Sequence, residues 1–261
     1  MEDLKITIVQ SPLFWEDIDA NIAAFTKTVS SIAPSSTDLI VLPEMFTTGF
    51  TMNAKQFAEG MDGKAVKWMR KMAAEKKCVI TGSLNIKENG HNYNRLVWMR
   101  PDGTFETYDK RHLFRMGEEN NTYTRGTKRI IVELKGWKIC PLVCYDLRFP
   151  VWSRNTNAYD CLIYVANWPD VRSYPWRQLL IARAIENQVY VIGVNRIGTD
   201  AHDMAHAGYS AVMDPRGQII STTQPDQPSV ETVTLSWKAL EDFRKVFPVG
   251  LDADKFELGP L

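Results

Sequence analysis

Three side chains of this 261-residue chain could together form a nucleophilic site. The segment "DLIVLPE" ends at Glu44, "TFETYDK" at Lys110 and "WKICPLVC" at Cys144. Each follows an apolar or strand-like run, and rigid strands with reactive residues at their ends are a common way to build a site. A cysteine attacks as its thiolate, so it needs a base or a lowered pKa. Glu44 could take the thiol proton and later deliver it to a leaving amine. Lys110 could stabilise the thiolate and then the oxyanion of a tetrahedral intermediate. After Cys144 the chain runs "YDLRFP", and Pro150 suits the first turn of a helix. A cysteine near a helix N-terminus gains from the dipole and from free backbone N–H groups, and the N–H of Tyr145 becomes a natural oxyanion donor.

Taken singly, these residues have ordinary readings. A Glu after Pro is usually a surface or capping residue, and a lone Lys is usually solvated. A Cys in an apolar run is most often a small buried hydrophobe, the reading that stands for Cys78, Cys140 and Cys161. Cys144 could also be a disulfide half or a metal ligand. Four cysteines in 261 residues are too sparse for a disulfide framework. No Cys/His set with zinc-site spacing accompanies Cys140 and Cys144, and "HDMAH" (His202, His206) stands alone. A metal or redox thiol protein is therefore the remote alternative, and neither metal nor cofactor is expected.

The elements that must position these residues alternate along the chain. Strands are expected at residues 4–10, 38–44, 78–86, 93–100, 105–110, 129–134, 137–146, 161–167 and 189–195, with further strands within 206–222 and 229–237. Helical spacing marks 16–33, where Ile18, Ile22, Phe25 and Val29 share a face, as well as 64–77, a short helix over 151–160, and 173–188. "PDG", "KG" and "DPRG" supply turns between strands. Strand–helix alternation points to α/β layers, while the hairpins argue against a purely parallel sheet. Two mixed sheets facing each other, with helices outside, satisfy both. No repeat or linker interrupts the pattern, so residues 1–261 read as one domain with an irregular tail from about residue 248.

Lys plus Arg and Asp plus Glu both number 31, and no basic stripe stands out, which argues against a nucleic-acid partner. The N-terminus "MEDLKITIVQ" reads as strand rather than export signal, and no apolar run approaches the ~18 residues of a membrane span. A cytoplasmic protein with reduced thiols is expected.

The contexts "LPEMFTTGF", "YDKRHLF" and "CYDLRFP", in that order, resemble the nitrilase superfamily of thiol amidohydrolases, the carbon-nitrogen hydrolases. The resemblance runs from "ITIVQ" through "RAIENQVYVIGVNR" to "GYSAVMDPRG", and "KRHLFRMGEENNTY" looks most like the omega-amidase branch. It implies a four-layer α-β-β-α sandwich that dimerises, with Glu44 as general base, Lys110 as oxyanion stabiliser and Cys144 as nucleophile. It also implies hydrolysis of the side-chain amide of 2-oxoglutaramate or 2-oxosuccinamate through a Cys thioester, with no cofactor. Other branches of the superfamily (aliphatic amidase, carbamoylase, nitrilase) would share the triad. The family uses a second Glu between Lys and Cys. Glu118 and Glu119 both qualify, and the spacing to Gly126 favours Glu119. A 2-oxo acid substrate needs a cationic partner for its carboxylate. Arg172, in "NWPDVRSYPW", is placed for that role, with Arg148 and Arg115 as competitors and Arg148 expected in structural ion pairs. Phe46, Trp168 and Trp176 are candidate pocket walls. On the long helix Trp176, Leu180, Arg183 and Asn187 share a face, which suits packing or a subunit interface.

Overall fold

The computed structural model of the protein describes residues 1–156, 158–254 and 256–257. Strand β1 (Leu4–Gln10) leads into helix α1 (Ile18–Ser30), then β2 (Leu39–Val41), a short α2 (Ala54–Phe57) and α3 (Lys64–Lys76). Three antiparallel strands follow, β3 (Val79–Glu88), β4 (His91–Met99) and β5 (Phe105–Asp109), and then α4 (Glu119–Thr122). The second half holds β6 (Val132–Leu134), β7 (Trp137–Val143), α5 (Pro150–Ser153), β8 (Cys161–Ala166), α6 (Ser173–Asn187) and β9 (Tyr190–Asn195). It closes with β10 (Ile197–Thr199), β11 (Ala205–Ala207), β12 (Ala211–Met213), β13 (Ser229–Leu235) and α7 (Trp237–Val246).

Two mixed sheets form the centre. One runs β13-β1-β2-β3-β4-β5 and the other β12-β9-β8-β7-β6; β10 and β11 pair as a separate hairpin. Within the first sheet β1, β2 and β3 are parallel, and within the second β7, β8 and β9 are. The strand period of two sorts the side chains. Leu39 and Val41 enter the large core shared with the second sheet, while Ile40 joins the cluster under α1 and α3 with Phe25, Val29, Trp68 and Met72. Strands β8 and β9 are buried along their whole length, because α6 packs on β9 and β12 on one side and the other sheet lies opposite. The result is the α-β-β-α sandwich with helices outside.

Asp17 caps α1 by accepting the Ala20 N–H, and Lys77, left-handed at φ 56°, ends α3. Three expectations need correction. The helix expected over 151–160 is only Pro150–Ser153, because Asn155 Oδ1 accepts the N–H groups of Ala158 and Tyr159 and turns the chain into β8; Asn157 lies outside the described residues. The strand expected to reach 237 ends at Leu235, and Trp237, with residues 238–246 that were given no element from sequence, forms α7, capped by Ser236. The tail from 248 holds a 3-10 turn at Val249–Leu251, and 258–261 lie outside the described residues. Among the described residues no helix is long and apolar enough to cross a membrane.

Candidate active site

The ends of β2, β5 and β7 converge. Glu44 follows β2, Lys110 directly follows β5 and Cys144 directly follows β7; all three are buried, Cys144 retaining 8% exposure. Lys110 Nζ lies 2.9 Å from Glu44 Oε1 and 2.9 Å from Glu119 Oε2, and these side chains have no solvent exposure. The structure therefore brings Glu119 rather than Glu118 to the lysine: Glu118 is exposed and caps the turn before it. Two non-glycine residues at these strand ends are left-handed, Met45 at φ 42° and Cys144 at φ 44°. Such backbone costs roughly 1–3 kcal/mol and persists where surrounding contacts over-determine it.

Electrostatics follow from burying two carboxylates with one ammonium. Burial alone would pull Lys110 down, but Glu119 and Glu44 outweigh it and hold its pKa above the ordinary lysine value. Glu119 is raised by burial and by Glu44, against the pull of Lys110. Burial pushes the Cys144 thiol well up; the Glu44 charge adds to this and Lys110 opposes it. The resting nucleophile is a thiol beside a carboxylate, so its proton leaves as attack occurs. Cys140, in contrast, is sealed inside β7 with its thiol pushed up to about 12 by burial, the state of an inert core cysteine.

Several further residues position the site, of which Asp146, Asn94 and Asn167 carry no obvious sequence signal. Asp146, two residues after Cys144, accepts from the Tyr108 hydroxyl at 2.7 Å, the Val143 N–H at 3.1 Å and the His112 N–H at 3.0 Å. It thereby ties the turn after β7 to both sides of Lys110. Arg183 on α6 donates to the Leu147 carbonyl at 2.7 Å and holds the same turn from behind, so the buried polar face of α6 is packing. Gly126 donates to the Lys110 carbonyl at 2.9 Å, and a Cβ there would sit 2.0 Å from the Asp109 carbonyl oxygen. Only glycine allows that approach. Asn94 and Asn167 contact Glu44 directly, the latter through its N–H on Oε2 at 2.7 Å. Cys144 itself opens a 3-10 turn, Cys144–Arg148, rather than preceding the helix at Pro150. Tyr145 sits in its first turn, where N–H groups lack a partner within the helix.

A cavity of about 300 Å³ opens above Cys144 and Lys110, with Phe50, Phe114, Tyr145, Arg148, Trp168 and Arg172 among its walls. The Arg172 guanidinium lies over Phe114, 5.4 Å from its ring centroid, and that of Arg148 over Trp168 at 5.0 Å. Among the described residues neither has an acidic side chain within salt-bridge distance, so Arg148 makes no structural ion pair. Arg115 is exposed and outside the cavity. Phe46 and Trp176 are core residues, not walls. Phe46 packs edge-on against Phe25 under the helices, and Trp176 packs tilted behind Trp168 and donates to the Tyr209 carbonyl. The β10–β11 hairpin supplies the far wall through Asp200, His202, Met204 and His206. Arg196, buried, pins this hairpin by donating to the Ile197, Thr199 and Leu13 carbonyls. Among the described residues no group of three metal-ligating side chains is assembled.

A mixed double sheet with Glu, Lys and Cys gathered at its strand ends defines a class. The chain belongs to the carbon-nitrogen hydrolase family, to which residues 5–245 match. It is 48% identical over 258 residues to the omega-amidase YafV of Escherichia coli strain K12, covering 99% of this chain and 100% of that one. It is 35% identical over 189 residues to the 2-oxoglutaramate amidase of Bacillus subtilis, covering 70% and 73%. Among solved structures it superposes with a TM-score of 0.97, at 44% identity and 99% and 100% coverage, on a CN-hydrolase superfamily protein of Xanthomonas campestris crystallised with an arsenic adduct in its active site.

Proposed function

We propose that the protein is an omega-amidase, a thiol amidohydrolase that converts 2-oxo dicarboxylic acid monoamides, 2-oxoglutaramate and 2-oxosuccinamate, to the 2-oxo diacid and ammonia. The observation that carries this reading is the pair of half-buried guanidinium groups, Arg172 and Arg148, without acidic partners among the described residues and sharing one small cavity with Cys144. A neutral amide or a nitrile has no use for them, whereas a carboxylate beside a 2-oxo group does. The full-length similarity to an omega-amidase supports the same reading. Trp168 and Tyr145 wall the space between the two ends of the substrate.

The reaction follows from the hydrogen bonds. Lys110 spends N–H donors on Glu44 and Glu119, and an ammonium has three, so one remains for the cavity. Cys144 Sγ attacks the amide carbon while Glu44 accepts the thiol proton. The oxyanion is held by Lys110 and the Tyr145 N–H. As the C–N bond breaks, Glu44 returns the proton to nitrogen and ammonia leaves, giving a thioester. Water then attacks the thioester, Glu44 again taking a proton, and the C–S bond breaks to release the acid and restore the thiol. Glu119 keeps Lys110 charged and aimed.

The chain works as one catalytic domain, because its two sheets share one core. A homodimer is the expected assembly, supported by exposed Tyr174 and Ile185 on the outer side of α6. A cytoplasmic location is supported by four free thiols. The test is a panel of 2-oxoglutaramate, 2-oxosuccinamate, propionamide, an N-carbamoyl amino acid and a short nitrile, with ammonia measured. The 2-oxo monoamides should give the highest kcat/KM, and Arg172→Leu should raise their KM about 10- to 100-fold, the worth of a charge-assisted hydrogen bond, with propionamide unaffected. Preference for propionamide or the nitrile would overturn the assignment in favour of another branch.

A further inference from the structure

The two carboxylates around Lys110 are joined by a side chain with no part in the steps above. Asn94, on β4 and almost fully buried, donates from Nδ2 to Glu44 Oε1 at 2.7 Å and to Glu119 Oε1 at 3.1 Å. The direction of these bonds is not a free choice. The Met45 backbone N–H can only donate, and it donates to Ser83 Oγ at 2.8 Å. The Ser83 hydroxyl must then point its own hydrogen elsewhere, and it donates to Asn94 Oδ1 at 2.8 Å. With Oδ1 taken, the amide NH2 faces the glutamates. Main-chain polarity at the residue after Glu44 is thus handed through a serine and an asparagine back to both carboxylates.

The consequence is a count of donors. Glu44 Oε1 accepts from Asn94 and Lys110, and its Oε2 from the Asn167 N–H. Glu119 Oε1 accepts from Asn94 and Lys110, and its Oε2 from the Phe114 N–H at 2.6 Å. Every carboxylate oxygen meets a donor, so a proton on either acid would displace a bond. Two buried acids a few ångströms apart otherwise share a proton, because burial and like charge favour one neutral carboxyl. The charged and titratable groups that influence this pair are Lys110 after β5, Cys144 after β7 and Tyr123 just after α4. Lys110 alone brings one positive charge to two negative ones. Asn94, together with the Asn167 and Phe114 N–H groups, supplies the other donors without adding charge, which leaves Lys110 free to keep a hydrogen for the substrate.

We infer that Ser83 and Asn94 form a positioning relay that locks Glu44, the base, in register with Glu119 and Lys110. The inference rests on the amidase reading for its kinetic readout and on geometry alone for its spectroscopic one. The test compares wild type with Asn94→Leu, which keeps the volume and removes both donors, and with Ser83→Ala and Ser83→Thr. Two measurements are made: the pH dependence of 2-oxoglutaramate hydrolysis, and infrared difference titration of the protonated-carboxyl C=O band, assigned with Glu44→Gln and Glu119→Gln.

In Asn94→Leu the acid limb of kcat and the carboxyl band should both move up by about one pH unit. At neutral pH kcat should fall about 10- to 100-fold with KM within twofold. Ser83→Ala should shift both in the same direction by less, and Ser83→Thr should restore them. An acid limb and a band at the wild-type pH in folded variants would overturn the inference, as would a loss confined to KM. Should Asn94→Leu not fold, Ser83→Ala carries the test. Should wild type not hydrolyse 2-oxoglutaramate, the substrate assignment fails while the infrared band still decides the relay.

Discussion

Replacing Lys110 by Met removes the single ammonium between two buried carboxylates while keeping most of the side-chain volume. Lys110, Glu44 and Glu119 have no side-chain exposure, so solvent screening does not soften the loss. Removing one partner of a buried ion pair costs about 3–5 kcal/mol, chiefly because charge is left uncompensated. The penalty has a definite pH dependence. Burial already raises Glu119 against the pull of Lys110; without the lysine its folded-state pKa rises further above the unfolded value. A carboxyl raised in this way contributes stability below its unfolded pKa and loses it as pH rises through the folded value. The deficit of Lys110→Met relative to wild type should therefore be smallest near pH 5 and largest near pH 8. Urea unfolding at intervals across that range, with the slope checked for constancy, measures it. The loss of an oxyanion donor should lower kcat at least 10²- to 10³-fold. A deficit below about 1 kcal/mol, or one independent of pH, would refute the picture of two buried glutamates held by one lysine.

Two further outcomes follow from single residues. His206 lines the cavity wall almost fully buried, and burial together with Arg196 pushes it down from 6.5 to about 4. Its stabilising effect is present above the unfolded value and lost as pH falls through the folded one. Wild type should therefore lose roughly 3 kcal/mol between pH 7 and 4 from this group, and His206→Gln should flatten that part of the urea-measured profile. Gly126→Ala should force a Cβ onto the Asp109 carbonyl, costing about 1–3 kcal/mol and lowering Tm by roughly 2–4 °C for each kcal/mol. Calorimetry reads the shift, and an unchanged Tm would mean that the backbone moves aside freely.

Much of the sandwich was legible because its strands are apolar and bounded by clear turns. "LKITIVQ" is strand β1 residue for residue, and "KAVKWMRKMAAEKK" carries the apolar stripe that α3 buries. Lys135 and Gly136, both at positive φ, form the turn that "KG" suggested. The Asn89–Gly90 pair, at φ 50° and 80°, joins β3 to β4 and is an equally strong hairpin signal. Helix α7 does carry an apolar stripe, Trp237, Leu240, Phe243 and Phe247 at helical spacing, but only Leu240 is fully buried and Trp237 reads equally well as the end of the strand "SVETVTLSW". At the site, Glu44, Lys110 and Cys144 were visible as reactive residues at strand ends, while Glu119 came only from the resemblance to the family, which implies a second Glu at that spacing from Gly126. Asn94, Ser83, Asp146 and Asn167 were not visible. Neutral amides, hydroxyls and single acids in strands and turns look alike in sequence, and only pairing register reveals which ones meet. Phe46 and Trp176 failed as pocket walls for the same reason, since an aromatic beside a site and one behind it have the same local pattern.

The central claim is that Cys144 carries the acyl group. Acid quenching during turnover of 2-oxoglutaramate, followed by peptide mass spectrometry, tests it directly. The expected result is a transient thioester-linked 2-oxo acyl group on the peptide containing Cys144, absent from Cys78, Cys140 and Cys161 and absent from an inactive, fully folded Cys144→Ala. An adduct on another residue, or ammonia release by Cys144→Ala at the wild-type rate, would contradict it.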